Sequence, residues 1–476
     1  MYFYNKKLNQ FLILVKSSSG IRGTLGEKVG KGFSPIEIIK FSAGYVSWMK
    51  KKYKNKDKYL IVLGRDGRTT SSIFQQFLVI TFQSLGVNVI DIGLSTTPTV
   101  GIAIINEKAD GGVMLTASHN PKNWNGLKMF NSQGEFLSEK DIEKLFYIVE
   151  KEYFRFASFD QLGNYFYRKN YIHKHIEIIL SLPLVDKEII KKSRFKIVVD
   201  GINSTGGIAV PILLEEYFGS KVIKMHCIPH GDFIHNPEPI EKNLKSICKK
   251  VSEVKADLGI SVDPDVDRVV FICENGDFFG EEYTLVSISD YILDNKIGSV
   301  VSTLSSSQAL KDLSINKGVT YYATSVGEIH VVKKMKEVKA VIGGEGNGGI
   351  IYPDLRYGRD ALVGIALFLT SIAKLSKIPL TKLKKRYSNY FMSKKKIRLS
   401  PNQKIGKILK NIKKIYQGEK MDFKDGIKIY FLNKEWIHIR KSNTENIIRI
   451  YIESPSRKRM NFLEKKILYE VKKNYD

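Results

Sequence analysis

Apolar and polar residues along this chain fall into one arrangement three times over. In the first stretch Tyr59-Leu60-Ile61-Val62-Leu63 is an apolar run of strand length, Gly64-Arg65-Asp66-Gly67-Arg68 is a glycine-broken polar loop, and apolar residues then recur at helical spacing over 71–85. Residues 87–92 predict a second strand. A third, Gly112-Val113-Met114-Leu115, leads to a hairpin over 127–136 that turns at Ser132-Gln133-Gly134. The second copy runs Phe195-Lys196-Ile197-Val198-Val199, the loop Asp200-Gly201-Ile202-Asn203-Ser204-Thr205-Gly206-Gly207, a helix, strands at 221–228 and 258–262, and a hairpin turning at Glu274-Asn275-Gly276-Asp277. The third has Ser299-Val300-Val301-Ser302, a helix, a strand at 319–324, and Ala340-Val341-Ile342 leading into a loop around Gly344-Glu345-Gly346. Alternating strands and helices predict α/β layers, in which ligands gather beyond the carboxyl ends of the strands. From about Ser388 the pattern changes: 427–432, 436–439 and 447–452 read as antiparallel strands with flanking helices. The predicted fold is therefore three related α/β domains, 1–163, 164–277 and 278–387, and an α+β domain, 388–476, around a central cleft.

The equivalent loops of the three units differ in chemistry. Thr116-Ala117-Ser118-His119-Asn120-Pro121 ends a strand of the first unit, and its serine hydroxyl is able to carry a phosphoryl group. Alone, a Ser-His turn is more often only a hydrogen-bonded turn. Asp263-Pro264-Asp265-Val266-Asp267-Arg268 ends the matching strand of the second unit. Three closely spaced carboxylates suit a hard divalent cation. A solvated loop is the bland alternative, and a calcium loop fits poorly because the glycine and closing glutamate of an EF-hand are missing. Gly343-Gly344-Glu345-Gly346-Asn347-Gly348-Gly349 and Arg440-Lys441-Ser442-Asn443-Thr444-Glu445-Asn446 each follow an apolar run.

At these four stretches, in this order and spacing, the chain resembles the α-D-phosphohexomutase family, from about Lys16 to about Glu453. The resemblance implies an enzyme that moves phosphate between the 1- and 6-positions of a hexose. Its phosphoserine passes the phosphoryl group to a sugar monophosphate and recovers the other phosphate from the bisphosphate that results. Ser118 would be the carrier, and one Mg2+ would sit on Asp263, Asp265 and Asp267 together with an oxygen of the Ser118 phosphate. Arg268 would aim its guanidinium at that phosphate, the alternative being a salt bridge to one of the aspartates. His119 is expected to orient the loop or the phosphate. Arg22 and Lys128 match basic active-site positions of the family. Glu345 would accept hydrogen bonds from sugar hydroxyls, with Asn347 in the place of a serine and the histidine of the common Glu-x-Ser-Gly-His pattern absent. Glu328, in Gly327-Glu328-Ile329-His330, stands where some relatives place a histidine, so Lys128 and Glu328 are both candidates for the general acid/base. Arg440, Ser442, Asn443 and Thr444 would clamp the non-reacting phosphate, with Arg449 either a second guanidinium or a solvated charge. The 200–207 loop lacks a Gly-Lys-Ser/Thr ending and reads as a structural turn. Among substrates, the Ser17-Ser18-Ser19-Gly20-Ile21-Arg22-Gly23 start and the Glu-Gly-Asn-Gly-Gly loop look like a bacterial and archaeal branch of the family often assigned to glucosamine phosphate, so the resemblance favours that sugar, with glucose or mannose phosphate as the alternative.

Composition adds limits. A chain of 476 residues exceeds one compact core, and 43% hydrophobic with 11% aromatic content suits several globular domains. No apolar run reaches 18 residues, which argues against a spanning helix. The apolar residues 11–15 are too few to cross a bilayer and read as the start of the first strand, whereas Met1 to Asn9 precede the resembling region and read as a frayed extension or the product of an upstream start. Cys227, Cys248 and Cys273 form no Cys-x-x-Cys pair, which points to a reducing, cytoplasmic setting without disulfides. The formal net charge of +27 raises a different class, a basic nucleic-acid-binding protein on a degenerate mutase scaffold. Against it, lysines are scattered through every segment, as in Lys394-Lys395-Lys396, and Ser118, the three aspartates and Arg440 are all present. Expected partners are small hexose phosphates, with no specific nucleic acid and no membrane; no interface signal fixes an oligomeric state.

Overall fold

The computed structural model describes residues 14–17, 20–26, 30–54, 56–399, 405–442 and 447–473. Met1 to Asn9, residues 11–13 of the expected first strand, Ser18, Ser19, and the motif residues Asn443, Thr444, Glu445 and Asn446 lie outside them. Four sheets organise the described residues. The first runs Leu14–Ser17, Gly20–Thr24, Trp124–Phe130, Gly111–Leu115, Tyr59–Arg65, Val87–Leu94 and Tyr165–Tyr167 in spatial order. Its Gly111–Leu115, Tyr59–Arg65 and Val87–Leu94 strands are parallel, and Trp124–Phe130 returns antiparallel to Gly111–Leu115 with Lys128 opposite Met114.

The second and third sheets repeat this centre. Leu258–Val262 lies parallel to Lys196–Asp200 and antiparallel to Val269–Ile272. Ile342–Glu345 lies parallel to Val300–Thr303 and antiparallel to Gly349–Ile351. Ser118, the aspartate triplet and Glu345 thus leave the same position in three sheets, the carboxyl end of a strand bordered by its own hairpin. The fourth sheet, Phe391–Arg398, Ile447–Ser454, Trp436–Lys441, Ile427–Tyr430 and Lys420–Asp422, is antiparallel throughout. Helices Ile405–Ile415 and Arg457–Lys473 cover it.

Three findings depart from the sequence reading. Tyr165–Tyr167 pairs with Val87–Leu94, so the first sheet continues past the expected boundary at 163. All three of its residues are exposed, and no alternation marks them as a strand. Glu345 belongs to a strand, not to the loop expected to begin at Gly344; a run of glycines offers no side-chain period to read. Gly343 fits there because a Cβ would meet Met335 Sδ at 2.3 Å. Finally, the strand expected over 221–228 stops at Met225, because His226 turns left-handed with φ +49°.

The cores do not divide as the sheets do. The first domain packs helices Pro35–Lys52, Ser71–Ser84 and Glu139–Glu150 over its own apolar cluster, and the fourth encloses Ile408, Ile437, Ile450 and Ile467. The second and third share one continuous core, from Ile172 to Tyr390. Helix Ala361–Lys374 sits within it, against helices Tyr171–Leu180, Lys187–Ser193 and Glu281–Asn295. There Phe271 and Phe368 stack at 3.7 Å between centroids, 10° from parallel. No helix among the described residues is long and apolar enough to cross a membrane.

Candidate active site

The Ser118 loop is built by a buried arginine. Arg68 donates from Nη2 to the carbonyls of Ser118 (2.6 Å) and Asn120 (2.7 Å), and from Nη1 to those of Pro121 (2.7 Å) and Trp124 (2.9 Å). Asp66 holds that guanidinium at Nε (3.1 Å) and accepts from Thr116 Oγ1 (2.6 Å), which in turn accepts from the Ser118 amide (2.8 Å). So fixed, Ser118 adopts φ +49°, a left-handed conformation uncommon outside glycine and one that active sites tend to retain. Its hydroxyl donates to Asp263 Oδ2 across the domain boundary at 2.8 Å. His119 Nδ1 lies 3.4 Å from Ser118 Oγ. Burial, followed by the charges of Arg268 and Arg22, drives the His119 pKa well below its ordinary value, so the imidazole is neutral.

The triplet is cradled from its own backbone. Asp263 Oδ1 accepts from the amides of Asp267 and Arg268, both at 3.1 Å, and Val266 takes φ +60° to close the turn. All three aspartates are inaccessible to solvent. Lys128 Nζ donates to Asp265 Oδ2 (2.5 Å) and Asp267 Oδ2 (2.6 Å), and Arg359 Nη2 reaches Asp267 Oδ2 at 2.8 Å. Burial and the neighbouring Asp267 and Asp265 push Asp263 well above the usual carboxylate range. Burial acts on Asp267 as well, but Arg359, Lys128 and Arg268 outweigh it and hold that group low. The first domain grips the turn from the other side: Thr97 donates its amide to the Asp265 carbonyl (2.9 Å) and its hydroxyl to the Asp265 carboxylate.

These residues fit a hard cation. One carboxylate oxygen from each aspartate falls within 4.8 Å of the others, and Asp265 Oδ1 and Asp267 Oδ1 are buried acceptors that receive no hydrogen bond. Buried acceptors left unmade are costly, and an oxygen-only set is what Mg2+ takes.

One cleft collects the rest from all four domains. Arg22 and His119 face it from the first, Arg268 from the second, Glu328, Glu345 and Asn347 from the third, and Arg440, Ser442 and Arg449 from the fourth. Arg22 donates to Asn120 Oδ1 at 3.1 Å, and burial, then Arg268, lowers its pKa to about 10. Glu345 accepts from Asn347 Nδ2 (3.3 Å), whose Oδ1 accepts from the Gly349 amide (3.1 Å). Arg440 Nε is tied to Asp425 at 2.7 Å, and Arg449 Nε lies 3.4 Å from Ser442 Oγ. Arg268 Nε makes the salt bridge to Asp267 weighed as its alternative, at 3.8 Å and without a hydrogen bond, while the residue also lines the cleft.

The four phosphoglucomutase/phosphomannomutase family models, α/β/α domains I, II and III and the C-terminal domain, match residues 14–156, 169–276, 280–390 and 395–468 in that order. A phosphoglucomutase/phosphomannomutase of Thermococcus kodakarensis is 35% identical over 444 residues, 92% of this chain and 94% of that one. The chain belongs to the phosphohexomutase family. A probable phosphoglucosamine mutase of Pyrococcus abyssi is likewise 35% identical, over 94% of this phosphohexomutase and 96% of its own length. A phosphoglucomutase/phosphomannomutase family structure from Burkholderia thailandensis superimposes with TM-score 0.81 at 20% identity, covering 97% of both chains, which shows the shared fold.

The phosphohexomutase carries site residues that its sequence does not announce. Arg359 donates to Asp267, to Glu345 Oε2 (2.7 Å) and to Glu328 Oε2 (2.9 Å), joining the aspartate-triplet loop to the Glu345 hairpin. Its only signal was a charged Gly-Arg-Asp triplet ahead of an apolar helix, the same triplet that opens the Arg68 loop. Glu328 is therefore bound through both oxygens, one by Arg359 Nε and one by the Arg359 amide (3.2 Å), and burial raises its pKa. Burial lowers the Lys128 pKa, but Asp265 and Asp267 outweigh that and raise it, which keeps the amine protonated. Lys394 and Glu282 face the cleft as a further unforeseen pair at 2.9 Å; burial lifts Glu282 to about 7 against the pull of Lys394.

Proposed function

We propose that this phosphohexomutase interconverts glucosamine 6-phosphate and glucosamine 1-phosphate through a phosphorylated Ser118. The observation that carries the reading is the 2.8 Å contact of Ser118 Oγ with Asp263, which brings the serine loop against the aspartate triplet. In the forward step the bond from phosphorus to Ser118 Oγ breaks as a bond to the free sugar hydroxyl oxygen forms, and the hydroxyl proton leaves to a base. The bisphosphate then turns over in the cleft, and its other phosphate is transferred back to Ser118 by the reverse step. One Mg2+ held by Asp263, Asp265 and Asp267 supplies, when bound, positive charge to the oxygens of the transferring group. Lys128 and Arg268 add fixed positive charge on two sides, which counts for most where water is excluded. Glu328 is the residue we assign to the proton, since its raised pKa brings a carboxyl nearer to neutral working pH. Arg440, Ser442 and Arg449, continued by Asn443 and Thr444, hold the phosphate that is not reacting.

Glucosamine is supported by the Glu345–Asn347 pair facing the cleft and by the name of the Pyrococcus relative. The equally similar Thermococcus relative supports glucose and mannose phosphates as a second reading. Coupled assays on glucosamine 6-phosphate, glucose 1-phosphate and mannose 1-phosphate decide between them: the highest kcat/KM belongs to glucosamine on the first reading, and a faster neutral hexose overturns it. Independently of the sugar, Ser118→Ala should abolish turnover and the phosphate adduct that intact-mass analysis finds on wild type. A variant that keeps the wild-type rate removes Ser118 as carrier.

A further inference from the structure

At the carboxyl end of the second sheet, one strand over from the aspartate triplet, three other ligand-type side chains converge. Asp200, fully buried at the end of strand Lys196–Asp200, faces His226 Nδ1 at 3.1 Å through Oδ1 and His235 Nε2 at 3.0 Å through Oδ2. One ligand atom from each lies within 4.8 Å of the other two, and the imidazole centroids are 5.8 Å apart with the rings inclined at 73°.

Hydrogen-bond chemistry shows that something positive belongs between them. His235 Nδ1 lies 2.9 Å from the carbonyl of Asn236, an acceptor only, so Nδ1 must carry the ring hydrogen. A neutral His235 then turns the lone pair of Nε2 toward Asp200, which also only accepts. His226 Nδ1, a second buried nitrogen, lies 3.1 Å from Asp200 Oδ1, and against the effect of burial it and His235 hold the Asp200 pKa low. The backbone accepts strain to bring it there, since His226 sits at φ +49°. A carbonyl fixing the far nitrogen of a ring while the near nitrogen points at a ligand position is the usual support for a metal-bound histidine. The separations also suit such an ion, because ligands about 2.0–2.1 Å from a tetrahedral Zn2+ lie roughly 3.3 Å from one another.

We propose that Asp200, His226 and His235 form a second cation site, selective for Zn2+ or a similar nitrogen-seeking divalent ion. Two imidazoles and one carboxylate disfavour Mg2+, so the two sites divide the metals by donor type. The ion ties the segment after strand Lys221–Met225 to the end of strand Lys196–Asp200. That segment places Phe233 4.9 Å from the Arg68 guanidinium and carries Glu238 and Ile240 into the cleft, so it braces both the serine loop and the sugar pocket.

The test strips the enzyme with chelator, saturates it with Mg2+, dialyses it against Zn2+, and examines the bound zinc by metal analysis and X-ray absorption at the zinc edge. The expected result is one zinc per chain with two imidazoles in its shell, and at least tenfold weaker uptake by His226→Asn and by His235→Gln. Asparagine tolerates the left-handed backbone at 226, which preserves the fold of that variant. No uptake by wild type in the presence of Mg2+ overturns the proposal and leaves a proton on His235 as the positive charge. A zinc shell of oxygens alone, or undiminished uptake by both variants, places the metal elsewhere and overturns it equally. The absorption spectrum of wild type decides the matter even if a variant does not fold.

Discussion

At the scale of single residues the site is governed by charge compensation in a dry interior. Arg359 serves three carboxylates, Asp267 and Glu345, which are buried, and Glu328, which is largely so. Removing one partner from such a set leaves charge without a counterion, which typically costs about 3–5 kcal/mol. Arg359→Ala should lose stability of that size in urea unfolding. A loss below about 1 kcal/mol would show that the three acids find other donors. Glu282 gives a pH dependence with a definite sign. Its folded pKa of about 7, raised by burial, exceeds the ordinary 4.5, so the unfolded chain releases this proton first as pH rises. The contribution to stability is complete below pH 4.5 and is lost through pH 7, up to ~3 kcal/mol at 1.36 kcal/mol per unit. Glu282→Gln lacks that loss. Thermal scans should therefore show the variant gaining on wild type between pH 4.5 and 7.5, and parallel curves would place the Glu282 titration elsewhere.

At the scale of elements, hairpins decide how the domains meet. Gly348 turns the hairpin between Ile342–Glu345 and Gly349–Ile351 with φ +85°, and its carbonyl accepts from the Val269 amide of the second domain at 3.0 Å. A Cβ at 348 would come within 2.3 Å of the Val269 carbonyl oxygen, which is backbone and cannot swing aside. Gly348→Ala should cost about 2 kcal/mol or more and raise KM, because the same turn carries Asn347 and Glu345. A well-folded variant with unaltered KM would show that the turn is free to shift. The contrast between these elements and the sequence is physical. Strands such as Tyr59–Arg65 and Leu258–Val262 were legible because continuous apolar runs bounded by polar glycine loops have few other uses. The repeat then aligned Ser118, the triplet and Glu345 before any coordinate did. Arg359 was not legible, since its three partners lie 92, 14 and 31 residues away in the chain and leave no local pattern. His226 and His235 escaped for the same reason, their meeting with Asp200 being created by a strand pairing and a left-handed turn.

At the scale of the whole molecule, four sheets surround one cleft, yet the apolar interior recognises fewer parts. The fourth domain closes around a private core and the first has one on one face of its sheet, its other face packing against Tyr171 of the second, while the second and third share theirs through helix Ala361–Lys374 and the Phe271–Phe368 stack. Cooperativity follows buried apolar contact more closely than it follows topology. The pair should consequently melt as a single unit, and a wound in one half should be felt in the other. Phe368→Ala, a truncation that typically costs about 3–5 kcal/mol, ought to hasten amide hydrogen exchange in strand Leu258–Val262 as much as in its own helix. Faster exchange confined to residues after 280 would mean two independent folding units. Joined melting would tie the aspartate-triplet loop to the Glu345 hairpin through the life of the protein: no partly unfolded form would keep one and lose the other, so on the proposed function a damaged chain forfeits catalysis outright instead of lingering as a trap for sugar phosphates.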